Sequence, residues 1–145
     1  MARYTVGTTS SGAGTAARPI GSLFAIASRS CYVREVGAFN TTATSLILRL
    51  ARCTAVGTPG SGLTEEKWNP NDDTPDMTGF DTHSADATVS AGNIRLARIP
   101  GAVGAGVIWT FEVPGLFVPS GTANGIALVA SGTGQILDWY IDWEE

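Results

Sequence analysis

A chain of 145 residues with an apolar fraction of 43% has room for one domain and an ordinary core, and little for two. Only 15% of its residues are charged, against about 25% in a typical soluble protein. The net charge of −4, with Lys67 as the only lysine, argues against a nucleic-acid binder.

Residues 1–17 are small, polar and glycine-rich, and read as an extended arm with a short strand-like piece at 3–6. The remainder, 18–145, reads as a single domain in which strand signals are separated by Gly, Pro, Asn and Ser clusters. Strands are expected at 20–27, 31–39, 45–53, 93–99, 107–113, 116–118, 125–131 and 137–144. In the third, Leu46, Leu48 and Leu50 alternate with Ile47, Arg49 and Ala51. In the last, Leu137, Trp139, Ile141 and Trp143 alternate with Asp138, Tyr140, Asp142 and Glu144, which places the apolar set on the core and the acids in solvent. Turns are expected at Asn124-Gly125 and at Gly132-Thr133-Gly134, since Gly and Asn accept positive φ cheaply. The expected fold class is all-β: an antiparallel β-sandwich, jelly-roll-like, of about eight strands. Leu46, Leu48, Leu50, Trp109, Phe111, Leu137, Trp139 and Ile141 are its expected core. In such a fold the last strand lies between the first and third, which would set Asp138 and Asp142 beside Arg49.

Between the third and fourth of these strands lies a long insertion, 54–92, containing TPGSG and then LTEEKWNPNDDTPDMTGFD. A compact domain seldom carries so long a connection unless it is functional. Glu65, Glu66, Lys67 and Trp68 could form one helical turn after Thr64, limited by Pro70 and Pro75. Charge is also uneven. Up to Cys53, Arg3, Arg18, Arg29, Arg34, Arg49 and Arg52 are opposed only by Glu35, while acids collect at 72–86 and at the C-terminal end. That asymmetry suits pairing within the fold or between subunits.

No apolar run is long enough to span a bilayer, and the first residues lack the apolar core of a signal peptide. Cys31 and Cys53 read as two reduced, buried thiols of a protein made in the cytoplasm, in preference to a disulfide.

The residues offer little chemistry. His83 is the only histidine, within Asp81-Thr82-His83-Ser84; neighbours on one loop rarely adopt triad geometry, so it reads as a solvated loop histidine. Glu112 with Asp138 could face each other as a glycosidase needs, a pairing any sandwich offers. Two Cys and one His do not make a structural zinc site. Asn69, Asn71, Asp72, Asp73 and Asp76 could supply oxygens to a cation, yet the glycine and terminal Glu of an EF-hand loop are missing, and the cluster reads as turns. The glycines at 60–64 and 101–106 lack the ending and the following helix of a phosphate loop. No catalytic, cofactor or metal residue is assigned. Trp68, in the most polar stretch, is either a binding anchor or a pin holding the insertion to the sandwich. Arg3, Tyr4, Trp68, Asn69, Asp72 and Asp73 are the candidate interaction residues.

The opening MARYTV, the strand SLILRLAR with the TAVGTPGSGLTEEKWNPNDD insertion after it, the hairpin VIWTFEVPGLFVPSGTANGIALVAS and the terminal ILDWYIDWEE resemble small virion structural proteins of tailed bacteriophages, of the capsid decoration or cement type. The resemblance implies a jelly-roll-like, non-enzymatic protein that sits as a homotrimer on the outside of the mature capsid and ties neighbouring major capsid subunits together. It implies the virion surface as location after synthesis in the host cytoplasm. The major capsid protein and other copies of itself are the implied partners, with no nucleic acid, membrane or cofactor. A carbohydrate- or receptor-binding jelly roll of a phage fibre, or a neck or tail protein, are the alternatives.

Overall fold

A computed structural model describes all 145 residues and is all-β, without helices. Twelve strands follow in order: β1 Arg3–Thr9, β2 Gly21–Phe24, β3 Cys31–Asn40, β4 Leu46–Ala55, β5 Glu66–Lys67, β6 Thr78–Phe80, β7 Thr88–Val89, β8 Arg95–Ile99, β9 Gly106–Thr110, β10 Leu116–Val118, β11 Gly125–Ala130 and β12 Leu137–Glu144. They form two antiparallel six-stranded sheets. The first runs β10-β3-β12-β1-β5, with β9 also on β3; the second runs β6-β2-β11-β4-β7, with β8 also on β4. β9 and β10 are two halves of one strand position, broken by the turn in which Gly115 N–H donates to Glu112 O at 2.6 Å. Taken so, the core strands are β1, β12, β3 and β9/β10 against β2, β11, β4 and β8, the strand order of a jelly roll.

The eight-strand expectation undercounts, and the miscount has a consequence. The segment read as a separate arm supplies β1, paired along its length with β12 from Arg3↔Glu144 to Thr9↔Asp138, with Tyr4 and Val6 buried. The last strand does lie between the first and the third. Because the first is Arg3–Thr9, the third is Cys31–Asn40 and not 45–53. Arg49 is therefore in the other sheet, and its guanidinium donates to Ser90 O at 2.8 Å. Asp138 instead accepts from the Thr9 hydroxyl, and Asp142 pairs with Arg3 at 3.1 Å.

Alternation explains most of the core. Leu46, Leu48 and Leu50 face Leu137, Trp139 and Ile141 in one continuous cluster between the sheets. Trp139 approaches the opposite sheet so closely that a Cβ at Gly21 would lie 2.2 Å from its indole, so only glycine fits there. In β3 the inward phase slips. Cys31 and Val33 face in, then Val36, Ala38 and Asn40, because the pairing with β12 shifts register at Asp142/Trp143 and leaves Arg34 without a partner opposite. This bulge keeps both halves of β3 facing the core. The expected exposure of Asp142 fails here: it is buried beneath the Arg3 guanidinium. Phe111 is only half-buried, beyond the end of β9, with the Arg95 guanidinium 5.1 Å from its ring centroid.

All six residues of β11, GIALVA, are buried, so both faces of the second sheet are covered at its centre. The insertion supplies the cover. Val56, Phe80, Ala87 and Val89 pack on an outer cluster of Phe24, Cys53, Ala127 and Val129. The insertion is thus folded, and it joins both sheets: β5 extends the first beside β1, β6 extends the second beside β2, and Gly62 bridges to Phe80. The helical turn expected at 65–68 is β5 instead, because Lys67 and Glu66 pair with Tyr4 and Thr5.

Candidate functional site

The strand β5 draws the candidate interaction residues to one end of the first sheet. Trp68 N–H donates to Arg3 O at 3.0 Å, continuing the β1–β5 pairing. The Arg3 guanidinium then lies 4.0 Å from the Trp68 ring centroid while its Nη2 holds Asp142, so one face of the indole rests on a fixed cation. Trp68 nevertheless remains 57% exposed. It is therefore both of the things its sequence position allowed: a pin for the insertion and an accessible aromatic surface. Beyond it, Asn69 organises the turn. Its side-chain oxygen accepts from Asn71 N–H at 3.1 Å, and its amide donates to Asp72 Oδ1 at 3.1 Å. Lys67 Nζ donates to Asp72 O at 2.7 Å.

Tyr4 does not belong to the accessible surface. It faces the core, with its ring centroid 5.8 Å from that of Trp143, and its hydroxyl donates to Asp73 O at 3.0 Å. Burial, and then the neighbouring Glu145, raise its pKa. Its role is to fasten the Asp-rich loop to the sandwich. Asp72, Asp73 and Asp76 do line one polar hollow of about 350 Å³ with Arg29 and Glu145. Asp76 is taken by Arg29 at 3.0 Å, and its N–H donates to Glu145 Oε1 at 2.7 Å. No three His, Cys, Asp or Glu side chains come together as a metal-binding group.

The histidine segment is placed differently from its sequence reading. His83 is buried, with Nε2 2.7 Å from the Ser22 hydroxyl and with Phe24 and Phe80 around the ring. Nδ1 has no hydrogen-bond partner. Burial lowers its pKa below the ordinary 6.5. Asp81 does not hydrogen-bond to His83. Its carboxylate accepts Ser11 N–H at 3.1 Å and Thr82 N–H at 2.6 Å, and Gly12 N–H donates to the Thr82 hydroxyl at 3.1 Å, so that residues 11 and 12 are tied to the insertion. Ser84 is exposed and donates to Thr58 O. The Ser22 hydroxyl has no solvent access, so this contact is a packing device in which no substrate reaches the oxygen. Glu112 lies on the turn beside β10, lining a hollow that does not include Asp138. The two cysteines are free and buried, with their thiols raised to about 12 for Cys31 and about 11 for Cys53, both chiefly by burial.

Comparison with family models, curated proteins and solved structures finds no match.

Two features escaped the sequence reading. One is the Ser22–His83 contact, for which spacing gave no signal. The other is a basic and apolar face on β4 and β8, which was visible once Ile47, Arg49, Leu96 and Arg98 are assigned to one side of two paired strands.

Proposed function

We propose that this protein is a non-enzymatic virion component that binds the outer surface of a tailed-phage head as a homotrimer and stabilises it. The observation that carries the reading is the insertion. It is long, yet it is fastened to both sheets and holds Trp68 half-exposed on an ordered Arg3–Asp142 support. A preorganised surface of this kind loses little entropy on binding, which favours tight contact without a deep pocket. The low charge of the chain fits a surface partly covered by partners, and several weak contacts joined in one oligomer gain avidity.

The test is co-sedimentation of purified protein with expanded, undecorated heads of the corresponding phage. Saturable binding supports the reading, and Trp68→Ala should weaken it. Protein that stays in the supernatant at all concentrations contradicts it. The fibre-module alternative draws on the same exposed indole, which could stack on a sugar ring. Quenching of tryptophan fluorescence by an oligosaccharide, lost in Trp68→Ala, would favour that alternative.

A further inference from the structure

The two flanks of the sandwich carry opposite unpaired charge. On the β8 flank, the register sets Ile47 opposite Arg98 and Arg49 opposite Leu96. These four side chains share the outer face of the second sheet, since Leu46, Leu48 and Leu50 between them face inward. Leu96 is 55% exposed. The ion pairs of the chain use Arg3, Arg18, Arg29 and Arg34, so neither Arg49 nor Arg98 has a carboxylate. Arg49 reaches only Ser90 O and Asn93 Oδ1. The face also borders a hollow of about 410 Å³ lined by Ser45, Ile47, Arg98 and Thr133.

The β5 flank is the complement. Glu66 is exposed opposite Thr5, beside the half-exposed Trp68, with Asp72 and Asp73 in the following turn. None of these three acids is in an ion pair, and the one nearby lysine is spent on a backbone carbonyl. β5 ends the first sheet on the side where β6 ends the second, while β8 touches β9 at the other side. The acidic flank of one molecule therefore cannot reach its own basic face.

We infer that the acidic β5 flank, with Trp68, docks on the Ile47/Arg49/Leu96/Arg98 face of a second copy of this chain. The contact is head-to-tail. A two-fold symmetric contact on either patch would set Arg98 against Arg98 or Glu66 against Glu66, which like-charge repulsion disfavours. A head-to-tail contact between identical chains closes into a ring when its rotation permits. The inference deepens the proposed function, resting on its reading of the chain as an assembly subunit, but its test needs no phage head.

The experiment is sedimentation equilibrium of the full chain at low and high salt. Wild type should associate, and association should weaken as salt screens the charges. Arg98→Glu and Glu66→Arg, each checked for folding by far-UV circular dichroism, should each weaken association about tenfold or more. An equimolar mixture of the two variants should associate more strongly than either variant alone, because a contact between unlike variants joins opposite charges, and in a closed ring of three two of the three contacts are of this kind. A monomeric wild type at all concentrations and salts would overturn the inference. So would variants that associate like wild type, or a mixture that associates no better than either variant alone. Head binding is read separately by co-sedimentation. Association without head binding leaves the contact standing and removes the decoration reading; head binding without association does the reverse.

Discussion

Trp139 packs across the sandwich against Gly21 of the opposite sheet, and its truncation tests the packing most sharply. The side chain is 3% exposed on the inner face of β12, with its indole against Gly21 of the opposite sheet. A buried Trp removes roughly 200 Å² from water, worth about 5 kcal/mol at 25 cal/mol/Å². Alanine retains part of that area. In the opposite direction, the indole Nε1 has no hydrogen-bond partner, so removing it relieves a penalty of about 1–3 kcal/mol. The glycine opposite offers no side chain to fill the hole, so the cavity term stays. Trp139→Ala is therefore expected to cost about 3–5 kcal/mol. Gly21→Ala should cost about 1–3 kcal/mol in the wild-type background, where its Cβ meets the ring, and close to nothing in the Trp139→Ala background. The assay is guanidinium unfolding of all four proteins followed by far-UV circular dichroism, with the slope m compared. A Trp139→Ala loss below about 1 kcal/mol would refute the burial argument. Additive losses in the double variant would refute the claimed contact across the sheets.

Removal of residues 1–9 should abolish folding, because it withdraws β1 from between β12 and β5 and exposes Trp143; a cooperative unfolding transition in the truncated chain would contradict this. His83 resists protonation when folded, so the unfolded chain binds more protons as the pH falls below the ordinary value of 6.5. Stability should hold above that pH and decline below it by up to about 1.4 kcal/mol per unit, and the part of the decline due to His83 should vanish in His83→Gln. Cys31 and Cys53 should resist thiol reagents at neutral pH in the native protein and react on unfolding; rapid native labelling would place them at the surface. Trp68→Ala should change stability by no more than about 1 kcal/mol, since the ring is more than half exposed, with equilibrium unfolding as the check.

The sandwich was legible because its central strands alternate cleanly. Leu46, Leu48 and Leu50, and then Leu137, Trp139 and Ile141, each announce a face. The phase slip in β3 was also written in the sequence, where Cys31 and Val33 are followed by Val36 and Ala38, although alternation alone does not say which partner strand absorbs it. The opening segment misled because RYTVGTT is short and polar beside a glycine-rich tract, so its pairing with β12 depends on contacts far along the chain. That single omission moved Arg49 into the wrong sheet. The covered outer face of the second sheet was signalled by the unbroken apolar run GIALVA, since a strand with only one buried face would alternate. The identity of its cover was not signalled, because the insertion has little periodicity and is held by backbone pairing. His83 shows the same limit. A polar neighbourhood in sequence suggested solvent, but the loop folds back over Ser22 and Phe24.

The proposed function turns on whether the protein stabilises a phage head by binding it. Calorimetry of expanded, undecorated heads, with and without saturating protein, measures that directly. A ligand of the native shell present at about a hundred times its dissociation constant adds about 2.7 kcal/mol for each independent site, so the head transition should move upward and continue to rise with protein concentration. Trp68→Ala should give a smaller shift at the same concentration. A head transition that stays at the same temperature across the full range of protein concentration would contradict the account.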